Sequence, residues 1–306
     1  MKLSIIIANN IPGWSFPEVV KEKWMEIIRV DNGINEPGNP CWARNYGARK
    51  AKGKYLLFLD NDVTVKKGWL DQVMKFMDKN PKVGAGQLKL LRMGSNKFDS
   101  AGDLITANGF LAERAREAED QGQFDKADKI FSGKGAAMLV RKEVFEKVGG
   151  FDERYVYYWE EPDLFWRVWK AGYEVRFLWM GTVFHDYGTQ KKPIPQVPAE
   201  GQVYLACRNQ LMTIIKNAFG WWRLRMLFWV SLSWLGLETM FVVKGKWKQA
   251  WAIEMAWFWL LFRSGSSCRS GTEVKNNNQW IKQVMIKRNF KWYLGKGVSY
   301  VSGKPF

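Results

Sequence analysis

Residues 55–62 read YLLFLDND: Tyr55-Leu56-Leu57-Phe58-Leu59, followed at once by Asp60-Asn61-Asp62. A short, unbroken apolar run of this kind predicts a strand buried on both faces, as in parallel sheets. Open α/β sheets bind ligands beyond the carboxyl ends of their strands, and two carboxylates stand there, one residue apart. Hard carboxylate oxygens suit Mg²⁺ or Mn²⁺, which bind through one or two carboxylates plus substrate phosphates. The competing reading is a solvated turn, where Asp and Asn are common. The position directly after YLLFL keeps the metal reading level with it.

Working outward, residues 3–8 (LSIIIA) form a second buried run, and 26–30 (EIIRV) a third, ending at Asp31-Asn32-Gly33. Residues 42–52 predict a helix with Gly53 as its stop. On the other side, a helix is expected over 68–79, closed by Asn80-Pro81, and strands over 83–91 and 136–140. Between those strands the charged stretch 111–129 reads as a helical excursion. A short helix over 142–148 ends at Gly149-Gly150, and a longer one covers 161–171. A last strand runs from Tyr173 to Trp179. Strand alternating with helix argues for an α/β domain with a largely parallel sheet.

Pro193, Pro195 and Pro198 mark a boundary, dividing the chain into residues 1–192 and 193–306. Beyond it a helix is expected near 200–218, then two apolar stretches, Met226 to Val243 and Trp251 to Phe262, interrupted by Glu238 and Glu254. A spanning helix needs about 20 apolar residues, so the first is borderline and the second short. The net charge of +17 is uneven: residues 201–306 hold 16 Lys/Arg against three glutamates, a net of +13, and 10 of the 18 tryptophans. A basic, Trp-rich segment implies an anionic partner, a membrane or a nucleic acid. Tryptophans clustered with long apolar runs favour lipid over bases. The three cysteines form no CxxC pair, which excludes a disulfide framework or cysteine zinc site and favours a reducing compartment. The opening MKLSIIIANN is too short an apolar run for a signal peptide.

Further candidates lie elsewhere. Trp159-Glu160-Glu161-Pro162-Asp163 opens the helix after 160; its acids suit the helix dipole, and equally a general base whose pKa neighbouring carboxylates and aromatics raise. His185, the only histidine, is either structural or one metal ligand beside carboxylates. Arg44 and Asn45 are positioned to contact phosphate or to sit exposed on a helix. Asp31 is a turn acid or an acceptor for a base or ribose. Gly133-Lys134-Gly135 lacks a following Ser/Thr and so is no P-loop, only a weak phosphate signal; its glycines would let backbone pass close to a ligand.

Taken in order, IIIAN, VDNG, ARNYGARKAKGKYLLFLDNDV, SGKGAAMLVRKEVFEKVGGFDERY, YYWEEPDLFWRVWKAGYEV and VFHDYG resemble the family 2 glycosyltransferases of the GT-A type. The likeness is strongest to the rhamnosyltransferase-like group that builds polysaccharides, and covers about residues 3–217. It implies a GT-A (Rossmann-like), mostly parallel sheet with helices on both faces, followed by a helical, membrane-associating C-terminal region. It also implies metal-dependent, inverting transfer from a UDP-, dTDP- or GDP-sugar to a hydroxyl of a glycan or lipid-linked acceptor at the cytoplasmic face of a membrane, with no nucleic acid partner. By matched positions, Asp60 and Asp62 hold Mn²⁺ or Mg²⁺ and the sugar nucleotide, with His185 completing the metal site. Asp31 contacts the nucleotide and Arg44 the diphosphate. Glu161 is the catalytic base, with Glu160 and Asp163 beside it, and Gly149-Gly150-Phe151-Asp152 lies next to the acceptor. Glu161 and Pro162 depart from the family's usual Asp and aliphatic residue, so the base role extends to Glu160 or Asp163. Glu36 stands where the nucleotide loop usually has Asp. A non-catalytic glycan- or nucleic-acid-binding protein on the same fold is the alternative.

Overall fold

The computed structural model describes residues 2–9, 22–32, 38–65, 68–186, 200–263, 278–288 and 292. The nucleotide-loop residues 33–37, the proline boundary at 192/193 and Cys268 lie outside the described residues. In chain order the elements are β1 (Leu3–Asn9), β2 (Met25–Asp31), α1 (Pro40–Lys50), β3 (Tyr55–Asp60), β4 (Val63–Val65), α2 (Asp71–Lys79) and β5 (Val83–Arg92). Then come β6 (Phe98–Ser100), β7 (Asp103–Thr106), β8 (Leu111–Glu113), β9 (Ala137–Arg141), α3 (Lys142–Lys147), α4 (Glu160–Lys170) and β10 (Glu174–His185). Helices α5 (Glu200–Asn217), α6 (Gly220–Val243) and α7 (Trp247–Arg263) follow, and β11 (Met285–Ile286) closes the set.

The main sheet has the order β2-β1-β3-β9-β5-β10-β4, with β6 paired to β5. Strands β2, β1, β3, β5 and β10 run one way, while β9, β4 and β6 run against them. The sheet is therefore mostly parallel, with β9 inserted antiparallel at its centre. Side-chain alternation divides the buried strands between two cores. Ile6, Leu56, Phe58, Met138 and Val140 face a core closed by α1, α3, α4 and α5. Ile5, Ile7, Tyr55, Leu57, Leu59 and Leu139 face the other, closed by α2 through Val73, Met74 and Met77. Helices thus cover both faces.

Three expectations are corrected. Helix α1 begins at Pro40, because the Asn39 side chain caps the backbone N–H groups of Cys41 and Trp42, and it ends at Lys50, ahead of Gly53. The stretch 111–129 is not helical: after β8 it runs in turns, with Ala115 and Glu117 at left-handed φ. Its charges pair across space instead of along a helix, Asp120 and Asp125 with Lys89 on β5, and Arg114 with Asp128. The last strand does not stop at Trp179. It passes an irregularity between Leu178 and Thr182 and continues to His185. The core containing α4 continues without a break into α5, α6 and α7.

Candidate active site

The site forms where β1, β2 and β3 end and β4 doubles back along β10. Antiparallel pairing places His185 opposite Val63, one residue beyond Asp62. Ligand atoms of Asp60, Asp62 and His185 thereby lie within 4.8 Å of one another. His185 is buried; its Nδ1 lies 3.0 Å from Asp99 Oδ2 on β6, and its Nε2 faces Asp62 Oδ1 at 3.2 Å. Asp62 Oδ1 is itself buried without a hydrogen bond. If Nδ1 donates to Asp99, a neutral imidazole turns a lone pair toward that oxygen, and two facing lone pairs favour a cation between them. One imidazole and two carboxylates suit Mn²⁺ or Mg²⁺, so the residues fit a hard divalent ion. Without a cation, burial works against a charged imidazole but Asp62 and Asp99 push His185 up to about 10, so Nε2 then carries a proton toward Asp62 that a bound cation would replace.

Arg44 joins this group to the acids of α4. It is buried, and its Nη2 donates to Asp60 at 3.0 Å. Its Nη1 lies 3.9 Å from both Glu160 and Glu161. Its guanidinium also sits 5.4 Å from the Phe151 ring centroid. Burial opposes its charge, but the three carboxylates hold it firmly protonated. Of the two sequence readings for Arg44, the exposed one fails.

Glu160 and Glu161 open α4, where the helix dipole favours anions. Glu161 Oε1 accepts from the Gly135 N–H at 2.9 Å, whereas Glu160 Oε2 is buried with no hydrogen bond. Burial raises the pKa of both, with the Glu161 charge as a further cause for Glu160, while Arg44 pulls each back. The glycines of 133–135 now have a reason. A Cβ at Gly135 would stand 2.6 Å from Arg44 Nη2 and from Glu161 Oε1, so only glycine lets the backbone reach the acid.

Asp163 sits elsewhere. It is fully buried and bonds Arg167 at 2.7 Å, Lys216 at 2.9 Å and Asn217 at 2.7 Å. Burial opposes ionisation there, but Arg167 and Lys216 hold its pKa low. Asp152, in the Gly149-Gly150-Phe151-Asp152 turn, shares Lys216 at 2.9 Å. Asn45 bonds the backbone of Phe151 in both directions at 2.9 Å, fixing that turn. Asp31, half exposed at the end of β2, accepts from Asn9 and Arg29. Asn9 in turn accepts from Asn61, tying three strand ends together.

Sequence reasoning missed three residues here. Asp99 orients His185, and its other oxygen lies 3.4 Å from Lys134. Burial opposes its charge, but His185 and Lys134 lower its pKa to about 2. Arg208 and Asn209 on α5 hold the segment before α4, in which Val156, Tyr158 and Trp159 all have left-handed φ. Asn209 Nδ2 donates to the carbonyls of Tyr155, Tyr157 and Tyr158 at 2.7–2.9 Å. Nothing local in the sequence marks Asp99. The resemblance, which covers about residues 3–217, includes Arg208 and Asn209 but assigns neither a role.

Residues 16–149 match the family model for glycosyl transferase family 2. The O-antigen biosynthesis protein RfbC of Myxococcus xanthus is 32% identical over 167 residues, 49% of this chain and 12% of that protein. The N-acetylglucosaminyl-diphospho-decaprenol L-rhamnosyltransferase of Mycobacterium tuberculosis is 33% identical over 115 residues, 36% of this chain and 34% of that protein. The crystal structure of GalNAc-T7 with UDP, GalNAc and Mn²⁺ aligns with 70% of this chain and 47% of its own at 15% identity, with a TM-score of 0.48. The match over residues 16–149 agrees with the resemblance that the ordered motifs carry. The sheet is mostly parallel with helices on both faces, as expected, and the acidic pair stands at the end of β3. The chain spans 12% and 34% of the length of these two curated relatives.

Proposed function

We propose that the protein transfers a sugar from a UDP-, dTDP- or GDP-linked donor to a hydroxyl of a glycan acceptor, with inversion at the anomeric carbon. One observation carries this reading: a single buried arginine, Arg44, connects the three-ligand group Asp60, Asp62 and His185 to the paired acids Glu160 and Glu161. Asp60, Asp62 and His185 would hold Mn²⁺ or Mg²⁺, which supplies positive charge for a departing diphosphate. Asp31, at the neighbouring strand end, faces the nucleoside. Arg44 adds a fixed positive charge beside Asp60 on the diphosphate side. Glu161 takes the acceptor proton as the hydroxyl attacks, and one base with no enzyme nucleophile gives inversion. Glu160 keeps the local pKa high and is the second candidate for the base. Asp163, with both oxygens engaged, serves the architecture around the acceptor turn. We assign the enzyme to the cytoplasmic face of the cell membrane and its acceptor to a lipid-linked glycan, because α6 and α7 expose a row of large apolar side chains, from Trp221 to Phe262.

The test is donor turnover with each nucleotide sugar in the presence of Mn²⁺, followed by linkage analysis of the product. Asp62→Ala and Glu161→Gln are each expected to lower turnover by about 10²–10⁴-fold. Full activity in both variants overturns the site assignment.

A further inference from the structure

Helices α6 and α7 carry an apolar surface that the active site does not use. On α6 the exposed positions include Trp221, Leu224, Phe228, Leu232 and Leu235, at three- and four-residue spacing along one face. Trp221 is 71% exposed, and no charged side chain of α6 is among its exposed positions. On α7, Trp247, Trp251, Phe258, Leu261 and Phe262 continue the surface, with Leu261 77% exposed. So extended an apolar face, with bulky aromatics, marks an interaction site. Cations stand at its ends: Arg223 and Arg225 in the first turns of α6, and Lys244, Lys246 and Lys248 at the turn into α7. Burial, and then the neighbouring Glu254 on α7, push the pKa of Glu238 on α6 up to about 7, so the two acids of the hairpin lie close together.

By length and composition alone α6 is able to cross a bilayer. Its opposite face argues against crossing. Met226, Val230, Trp234 and Phe241 are buried in the core shared with α5, and Trp234 Nε1 donates to Gln210 on α5 at 3.0 Å. Arg225 donates to the Ala107 carbonyl and to Asn108. A crossing α6 would carry α5, with its buried Arg208, Asn209 and Lys216, into hydrocarbon, where charges and irregular backbone are expensive.

We propose that α6 and α7 lie flat in one leaflet of an anionic bilayer, their outward row at the acyl boundary and their terminal cations at the headgroups. This deepens the membrane part of the proposed function and is independent of the transfer chemistry. An outward row of aromatic and aliphatic side chains, held by a protein core behind it and flanked by cations, suits docking at the interface of an anionic bilayer. Docked this way, the protein stays whole on one side of the membrane.

The full chain is floated with phosphatidylcholine vesicles, with and without phosphatidylglycerol. Binding to the anionic vesicles is expected, weaker to neutral ones and weaker at high salt. The double variant Leu232→Glu with Phe258→Glu is expected to float about tenfold less while hydrolysing donor in solution as the wild type does. Nitroxide labels placed one at a time through Leu224→Cys, Leu232→Cys and Leu235→Cys, in a Cys268→Ser background, are expected to report one shallow depth. A deep Leu232 site beside a shallow Leu224 site means a crossing helix and overturns the proposal, as does flotation that the glutamates leave unchanged or no flotation at all. A dimer in the absence of vesicles, dispersed by the same glutamates, assigns the face to a second copy and also overturns it. Flotation as expected without donor turnover leaves this proposal standing and removes the transferase reading.

Discussion

Asp99 shows what one side chain contributes to a site it does not enter. Its carboxylate fixes the imidazole tautomer so that Nε2 points toward Asp62, the outer-shell arrangement that sets ligand orientation and basicity. Asp99→Asn keeps a hydrogen-bond acceptor and loses the charge, and is expected to weaken Mn²⁺ binding about 10-fold, while Asp99→Leu approaches about 100-fold. Titration calorimetry of Mn²⁺, with a melting curve to verify folding, checks this; equal affinities in all three proteins remove Asp99 from the metal site. Glu161 yields a pH expectation. Its pKa is raised by burial, and a base must be ionised to act. The acidic limb of kcat/KM should therefore fall at a pH above the ordinary carboxylate range, with activity rising as pH increases through it. In Glu161→Gln that limb is expected to vanish along with most of the rate. A limb at the usual carboxylate value would place the base elsewhere.

The segment between Tyr155 and Trp159 is the element on which the acids depend. Positive φ at Val156, Tyr158 and Trp159 is unfavourable for residues with a Cβ, costing about 1–3 kcal/mol each, and persists only where surroundings impose it. Asn209 imposes it through three carbonyls at once, and Arg208 adds those of Arg154 and Tyr155. Asn209→Ala is expected to cost about 2–4 kcal/mol of stability and to lower kcat more than it changes donor KM. Urea unfolding and steady-state kinetics check both halves; an unchanged kcat would mean the acids hold their places without the clamp.

Across the whole molecule, much was legible in the sequence because it rested on short-range signals. Buried runs such as YLLFL and LSIIIA sit in strands because no other element buries five consecutive apolar residues on both faces. The Asp60-x-Asp62 and Glu160-Glu161 pairs were visible as local patterns, although a turn or a helix start accounts for such acids equally well. What the sequence concealed was tertiary. The alternating charges of 111–129 resemble a helix until Lys89 on a distant strand claims Asp120 and Asp125. Asp99 is one acid among many until β6 folds it under His185. Contacts cross the expected division at 192/193: Asp163 finds Lys216 and Asn217, and Tyr155 finds Thr213, only on α5. A chain ending at residue 199 would bury Asp163 short of two partners, an omission that costs about 3–5 kcal/mol for a buried pair. It is expected to lose cooperative thermal unfolding, whereas full-length protein melts in a single step; a sharp melt of the shortened chain would show a separable domain.

The contact of His185 with Asp99 closes a loop of 86 residues. Long closures are slow and come after local structure has formed. During synthesis, strands β1 to β9 therefore leave the ribosome with their acids in place and no histidine to complete the group. The three-residue group of Asp60, Asp62 and His185 is completed only by the last strand of the main sheet, so on the proposed reading an interrupted chain would keep most of the architecture without that group.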